Sequence, residues 1–184
     1  GGPVVGWLDM KKFDETGDAA AAQGWTALIL DTNGNGKRDA DYVEADKPLD
    51  PSKDKRVIAP SYSVMPNPAD SSIWGSQAFG IPGRIVRLVP GDNPPQTALA
   101  EVFNVPAPGF GPRGADIDKN GVVWVSLASG HLGSFDRRKC KGPLNGPKAT
   151  GDHCPDGWSF HQLPGPGFQG IGDNSAESSY YAWV

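Results

Sequence analysis

The residues with the clearest capacity for chemistry are Asp31, Asn33, Asn35, Lys37 and Asp39, in the run Asp31-Thr32-Asn33-Gly34-Asn35-Gly36-Lys37-Arg38-Asp39. Alternate positions carry side-chain oxygens, which at this spacing turn toward one centre, and Gly36 permits the sharp bend between them. The pattern is the opening of an EF-hand-type calcium loop, in which Lys37 would offer its backbone carbonyl and Asp39 would ligate directly or through water. The twelfth position, where such a loop carries a bidentate acid, holds Tyr42, so Asp41 or Glu44 would have to substitute. Two neutral amides in the donor set lower its charge and place the expected affinity in the modest range of extracellular modules. A metal-free Asn/Gly hairpin loop satisfies the same residues. Calcium is thus the candidate cofactor, with a plain turn as its rival.

Asp116, Asp118 and Asn120, followed by Gly121, repeat the spacing in outline. They precede a hairpin dipeptide, and carboxylates beside a tight turn characteristically accept from backbone amides. Of the three histidines, His131 opens an apolar run and is the candidate catalytic residue, a general base with Asp116 as its acid and Arg113 as an electrostatic partner. His153 lies inside a Gly/Pro-rich loop and is expected to be solvated, and His161 falls in an outer strand. The sequence holds no recognisable Ser/His/Asp constellation and no H-E-x-x-H. The glycines of 165–172 lack the strand-to-helix context of a nucleotide loop.

The elements that must position these residues are short strands. Candidates are 6–10, 24–31, 62–65, 73–76, 83–88, 99–103, 114–118, 122–126, 131–136 and 159–163, with turns roughly every ten residues, the pattern of an all-β fold. One stretch, 13–23, has helical composition, and 44–60 reads as a charged, exposed connection. Asn120-Gly121 predicts a two-residue type I′ hairpin turn. Trp74 and Trp124 stand about 50 residues apart in stretches of similar cadence, the spacing at which repeated sheets such as propeller blades recur. Most of the tryptophans are expected to pack between sheets.

The 184 residues include 25 Gly and 18 Pro but only 38% hydrophobic residues, so the core is lean and the chain rich in turns. The net charge of −4 argues against nucleic acid and anionic membrane as partners, since both select clustered Lys and Arg. Arg137-Arg138-Lys139 is the one basic run and reads as a solvated loop. No apolar stretch approaches the ~20 residues that cross a bilayer. The chain opens on Gly1-Gly2-Pro3, as a processed or partial chain would. Cys140 and Cys154 bracket a loop too rich in Gly and Pro to hold itself. A disulfide there would contribute roughly 3 kcal/mol in the chain-entropy account and implies an extracellular or periplasmic location.

The segment Pro112-Arg113-Gly114-Ala115-Asp116-Ile117-Asp118-Lys119-Asn120-Gly121-Val122-Val123-Trp124-Val125 resembles the blade signature of the streptogramin-lyase-like (virginiamycin B lyase-like) β-propellers. Gly130-His131-Leu132-Gly133-Ser134-Phe135-Asp136 is similar to that family's third-strand pattern. Ser134 to Cys140 resembles a segment of larger exported bacterial propeller proteins. The resemblance implies four-stranded antiparallel meanders. Residues 1–60 would form a partial blade with the candidate calcium loop, 61–110 a blade, 111–165 a blade with the disulfide-closed loop, and 166–184 the start of a further blade. A closed ring usually needs four or more blades. The expected partner is therefore the remainder of the propeller or another copy of the chain, with a small molecule or glycan as ligand. Three roles stay open: an exported binding or structural module, a metal-dependent lyase using His131 at the channel, and a propeller hydrolase or lactonase.

Overall fold

The computed structural model describes residues 4–167 and 180–184. Gly1 to Pro3 and most of the expected further blade at 166–184 lie outside the described residues. The strands are β1 (Val4–Leu8), β2 (Gln23–Leu30), β3 (Tyr42–Val43), β4 (Asp54–Val57), β5 (Ser63–Pro66), β6 (Ile73–Gln77), β7 (Arg84–Val89), β8 (Leu99–Asn104), β9 (Pro112–Ile117), β10 (Val123–Leu127), β11 (His131–Phe135) and β12 (Trp158–Gln162). The fold is all-β, with two short helices, α1 (Met10–Thr16) and α2 (Pro94–Thr97).

Two four-stranded antiparallel meanders carry the architecture, β5-β6-β7-β8 and β9-β10-β11-β12. The first is extended at β8 by β2, through the parallel pair Leu30↔Ala100, and then by β4 and β3. β1 pairs with the first half of β2. The N-terminal strands therefore share a sheet with the first meander.

The meanders bury a common core. Trp74 of β6, Ile85 of β7 and Phe103 of β8 pack with Val123, Val125 and Leu127 of β10, Phe135 of β11 and Trp158 of β12. The rings nest closely, with Phe103 and Phe135 centroids 4.5 Å apart and Phe135 and Trp158 5.1 Å apart. The opposite face of the first meander is covered too, where Val86, Leu88, Ala100 and Val102 meet Leu28 and Leu30. A sheet buried on both faces loses the polar/apolar alternation of a solvated one, and β7 accordingly reads Arg-Ile-Val-Arg-Leu-Val.

Three local expectations change in the structure. The helix lies at 10–16 because Asp9 caps its start, accepting from Lys12 N–H at 2.9 Å, while Gly17 turns left-handed at φ 66° and ends it. The alanines of 19–22 then form a turn held by Asp18. The Asn120-Gly121 connection is not type I′. Only Gly121 takes positive φ, and the Asp118 N–H to Val122 C=O bond closes a three-residue loop. Residues 44–60 contain β4, which pairs with β2 and β3.

Trp74 and Trp124 both sit on the second strand of a meander, yet they face opposite ways. Trp74 is 2% exposed in the shared core. Trp124 is half-buried on the outer face, stacked on His161 of β12, because Val123 and Val125 take the inward positions. One residue of offset on a strand exchanges the two faces. Trp74→Ala should therefore cost about 3–5 kcal/mol, and Trp124→Ala about 1 kcal/mol, in urea denaturation. Equal costs would mean that the two indoles are packed alike.

Candidate functional site

The Asp31 loop grows from the buried end of β2. Residues 26–30 are all buried, so the chain leaves the core at Asp31, itself 7% exposed. One carboxylate oxygen accepts from Gly34 N–H at 2.7 Å and Asn35 N–H at 3.0 Å. The other accepts from Gly36 N–H at 2.9 Å and from Asn145 Nδ2 at 3.0 Å, 114 residues away. Gly34 and Gly36 both take positive φ, which lets three successive amides turn inward on one acid. Asn33 Oδ1 and Asn35 Oδ1 accept from the backbone N–H of Asn35 and Lys37. Their amide nitrogens donate to the two oxygens of Asp39, at 2.5 and 3.1 Å. The structure thus brings Asp31, Asn33, Asn35 and Asp39 into one hydrogen-bonded cluster, with Lys37 joined through its backbone.

The proposed substitutes for a twelfth ligand lie elsewhere. Asp41 is paired with Lys53 at 2.5 Å, and Glu44 with Arg56 at 3.1 Å. The residue that sequence reading misses is Asp54, the first residue of β4. It is 0% exposed, and one oxygen accepts Asp39 N–H at 2.8 Å. Burial pushes its carboxyl above the ordinary range, with the nearby acids Asp39 and Asp31 adding to the shift. Arg38, the adjacent cation, directs Nη1 at Thr26 Oγ1 and the carbonyls of Ala27 and Ala98. Burial lowers the Arg38 pKa. Among the described residues, no three His, Cys, Asp or Glu side chains stand together as a metal-ready group, so amide and backbone oxygens would have to complete any donor set.

Beside this loop lies an open cleft of about 480 Å³ between the sheet and the 140–154 loop. Leu30, Val89, Leu99 and Leu144 line it together with Arg87, Glu101 and Arg137. Glu101 accepts two bonds from Arg137, at 2.6 and 2.5 Å, and lies 3.4 Å from Arg87, which also reaches Asp70 at 2.7 Å. Arg137 is thus tied across the two sheets rather than solvated. Cys140 and Cys154 are joined by a disulfide.

The histidines divide. His131 is 5% exposed, with Nδ1 3.1 Å from Ser129 Oγ and its ring edge-on to Phe160. Asp116, its candidate acid, accepts from Ile117 and Val184 backbone N–H groups, and the Arg113 guanidinium lies 4.2 Å above the Tyr180 ring. Asp118 accepts from Asn120 and Val122 N–H and from Trp124 Nε1, as a turn carboxylate does. His153, expected in solvent, packs on Phe103 at 5.1 Å, with Nε2 buried and without a partner.

Comparison of the chain with protein-family models, curated proteins and solved structures finds no match.

Burial lowers the His153 pKa, against the opposing influence of Glu101 and Asp152 and with a smaller contribution from Arg137. The unfolded chain then takes up its proton first, near pH 6.5, as pH falls. The contribution is complete above that value and drains away through the lower folded pKa. The fall in Tm between pH 7.5 and 5.5 should be smaller in His153→Gln than in the parent; an equal fall would exclude His153 as its source.

Proposed function

We propose that the protein is an exported β-propeller-type module with a binding or structural role, steadied by calcium at the Asp31–Asp39 loop. The observation that carries this reading is the placement of that loop. Asp31 joins the end of β2 to the disulfide-closed segment through Asn145 Nδ2 and through Gly146 N–H, which donates to the Asp31 carbonyl at 2.7 Å. A cation there would act on two distant parts of the chain at once.

The propeller part of the reading is supported by two four-stranded meanders packed face to face, with the first covered on both faces as an inner blade would be. The segment that resembles the streptogramin-lyase-like blades forms β9 to β11 of the second. Export is supported by the Cys140–Cys154 disulfide. The module reading is preferred to the lyase because His131 is enclosed by Ser129 and Phe160. Binding falls to the cleft, where two guanidinium groups and a carboxylate over an apolar floor suit a small polar molecule or a glycan.

Calcium supplies positive charge at oxygen donors. Asp39 would exchange its two amide donors for the ion, and the Asn33 and Asn35 amides would turn their oxygens inward. Titrating calcium into chelator-treated protein by calorimetry should show one site. Millimolar calcium should raise stability by about 1–3 kcal/mol for an affinity in the extracellular range. Asp31→Asn should abolish that increment, and an unchanged melting curve for the parent with and without calcium would refute the reading.

A further inference from the structure

We propose that Asp54, which stands 15 residues beyond Asp39, is the acidic ligand that completes the Asp31–Asp39 cation site. The inference rests on the calcium reading above and assigns the residue that the loop itself does not supply.

The loop's own sequence leaves the final acidic position to Tyr42. Asp41 and Glu44 are drawn outward into ion pairs with Lys53 and Arg56. Asp54 differs from both. Its side chain is wholly buried, and Oδ1 has no hydrogen-bond partner. Its carboxylate faces the loop, since Oδ2 accepts Asp39 N–H. An unpartnered oxygen of this kind costs free energy unless something of opposite character meets it. Arg38 is near enough to act on Asp54 through its charge but gives Oδ1 no hydrogen bond, its Nη1 being engaged by Thr26, Ala27 and Ala98. A hard divalent cation that draws the Asp31 and Asp39 carboxylates and the loop's amide oxygens toward it would meet that oxygen, and all-oxygen donor sets select calcium-like ions over softer metals.

The register of the sheet explains how a remote residue arrives here. β4 pairs antiparallel with β2, Leu30 lying opposite Lys55, so Asp54 sits beside the point where the chain turns out of β2 into the loop. Thr32 Oγ1 donates to the Lys53 carbonyl at 2.7 Å and fixes that approach. The site would therefore close only when β4 is docked, and ion binding and docking of the charged 44–60 segment would favour each other.

The test is calorimetric titration of calcium chloride into the chelator-treated full chain and its Asp54→Asn, Asp41→Asn and Glu44→Gln variants. Asp54→Asn keeps an acceptor for Asp39 N–H while removing the charge. Its calcium affinity should fall about tenfold or more, and those of the other two variants should stay within about twofold. Its melting temperature in chelator should equal or exceed that of the parent, whereas a purely structural carboxylate would lower it. Parent-like affinity in Asp54→Asn, or a loss in Glu44→Gln or Asp41→Asn as large as that in Asp54→Asn, would overturn the assignment while leaving calcium binding intact. A parent chain that takes up no calcium would overturn both.

Discussion

The contact on which the rest depends is the nest of rings between the two meanders. Among the described residues no strand exceeds eight residues, and strands this short need an apolar face packed against another layer to be stable. Trp74 lies 6.0 Å from both Phe103 and Phe135, Phe103 lies 4.5 Å from Phe135, and Phe135 in turn meets Trp158, so Phe135 of the second meander is gripped by rings from β6 and β8 of the first. In a chain with only 38% hydrophobic residues, this concentration of apolar area in a few large side chains is how two thin layers are held together. The first meander then has a second apolar face to hide. The N-terminal segment meets that need with the unbroken buried run of β2, and the same run delivers Asp31 and Thr32 to the edge of the core.

The polar interactions are organised around the one segment that has no core of its own. The loop between Cys140 and Cys154 is closed by the disulfide and then fastened from several sides. Asp31 holds Asn145, Asn104 donates to Asp152 at 2.9 Å and to the Gly151 carbonyl, and His153 lies on Phe103. Just before the loop, Arg137 is clamped by Glu101. The disulfide reduces the freedom of the unfolded loop, and these contacts choose its folded position. Together they form a wall of the cleft, which is why the cleft and the Asp31 loop share Asn145.

Much of this was legible in the residues. The period-two runs and the Gly/Pro turns between them located ten strands to within about two residues, because turn chemistry is local. What failed was whatever depended on pairing. β4 reads as Lys-rich surface, yet Lys55 donates to the carbonyls of Glu44 and Lys47, and Arg56 pairs with Glu44. Charges that protect a strand near a sheet edge also disguise it. The spacing of Trp74 and Trp124 identified equivalent strands but not equivalent faces, because a single residue of offset lies below the resolution of a 50-residue comparison. Four residues of the Asp31 cluster were visible as a motif. Asp54 was not, since only the β2–β4 register brings it there.

That last miss also separates the two Asp-x-Asn/Asp-x-Asn-Gly runs. In both, the acids shape a turn: Asp31 collects Gly34, Asn35 and Gly36, and Asp118 collects Asn120, Val122 and Trp124. A carboxylate whose oxygens are already met by N–H donors is satisfied without an ion, so neither motif by itself calls for one. The difference lies behind the turn. The Asp118 turn closes on its own hairpin between the consecutive strands β9 and β10, and what lies against its Gly121 is the Asn67 amide and Ala69 of the 67–69 turn, not a further carboxylate. The Asp31 turn is backed by a strand from another part of the chain, which contributes a buried oxygen that no donor reaches. A buried carboxylate oxygen without a hydrogen-bond donor, supplied from a distance by the sheet, is what distinguishes the Asp31 loop from the Asp118 turn.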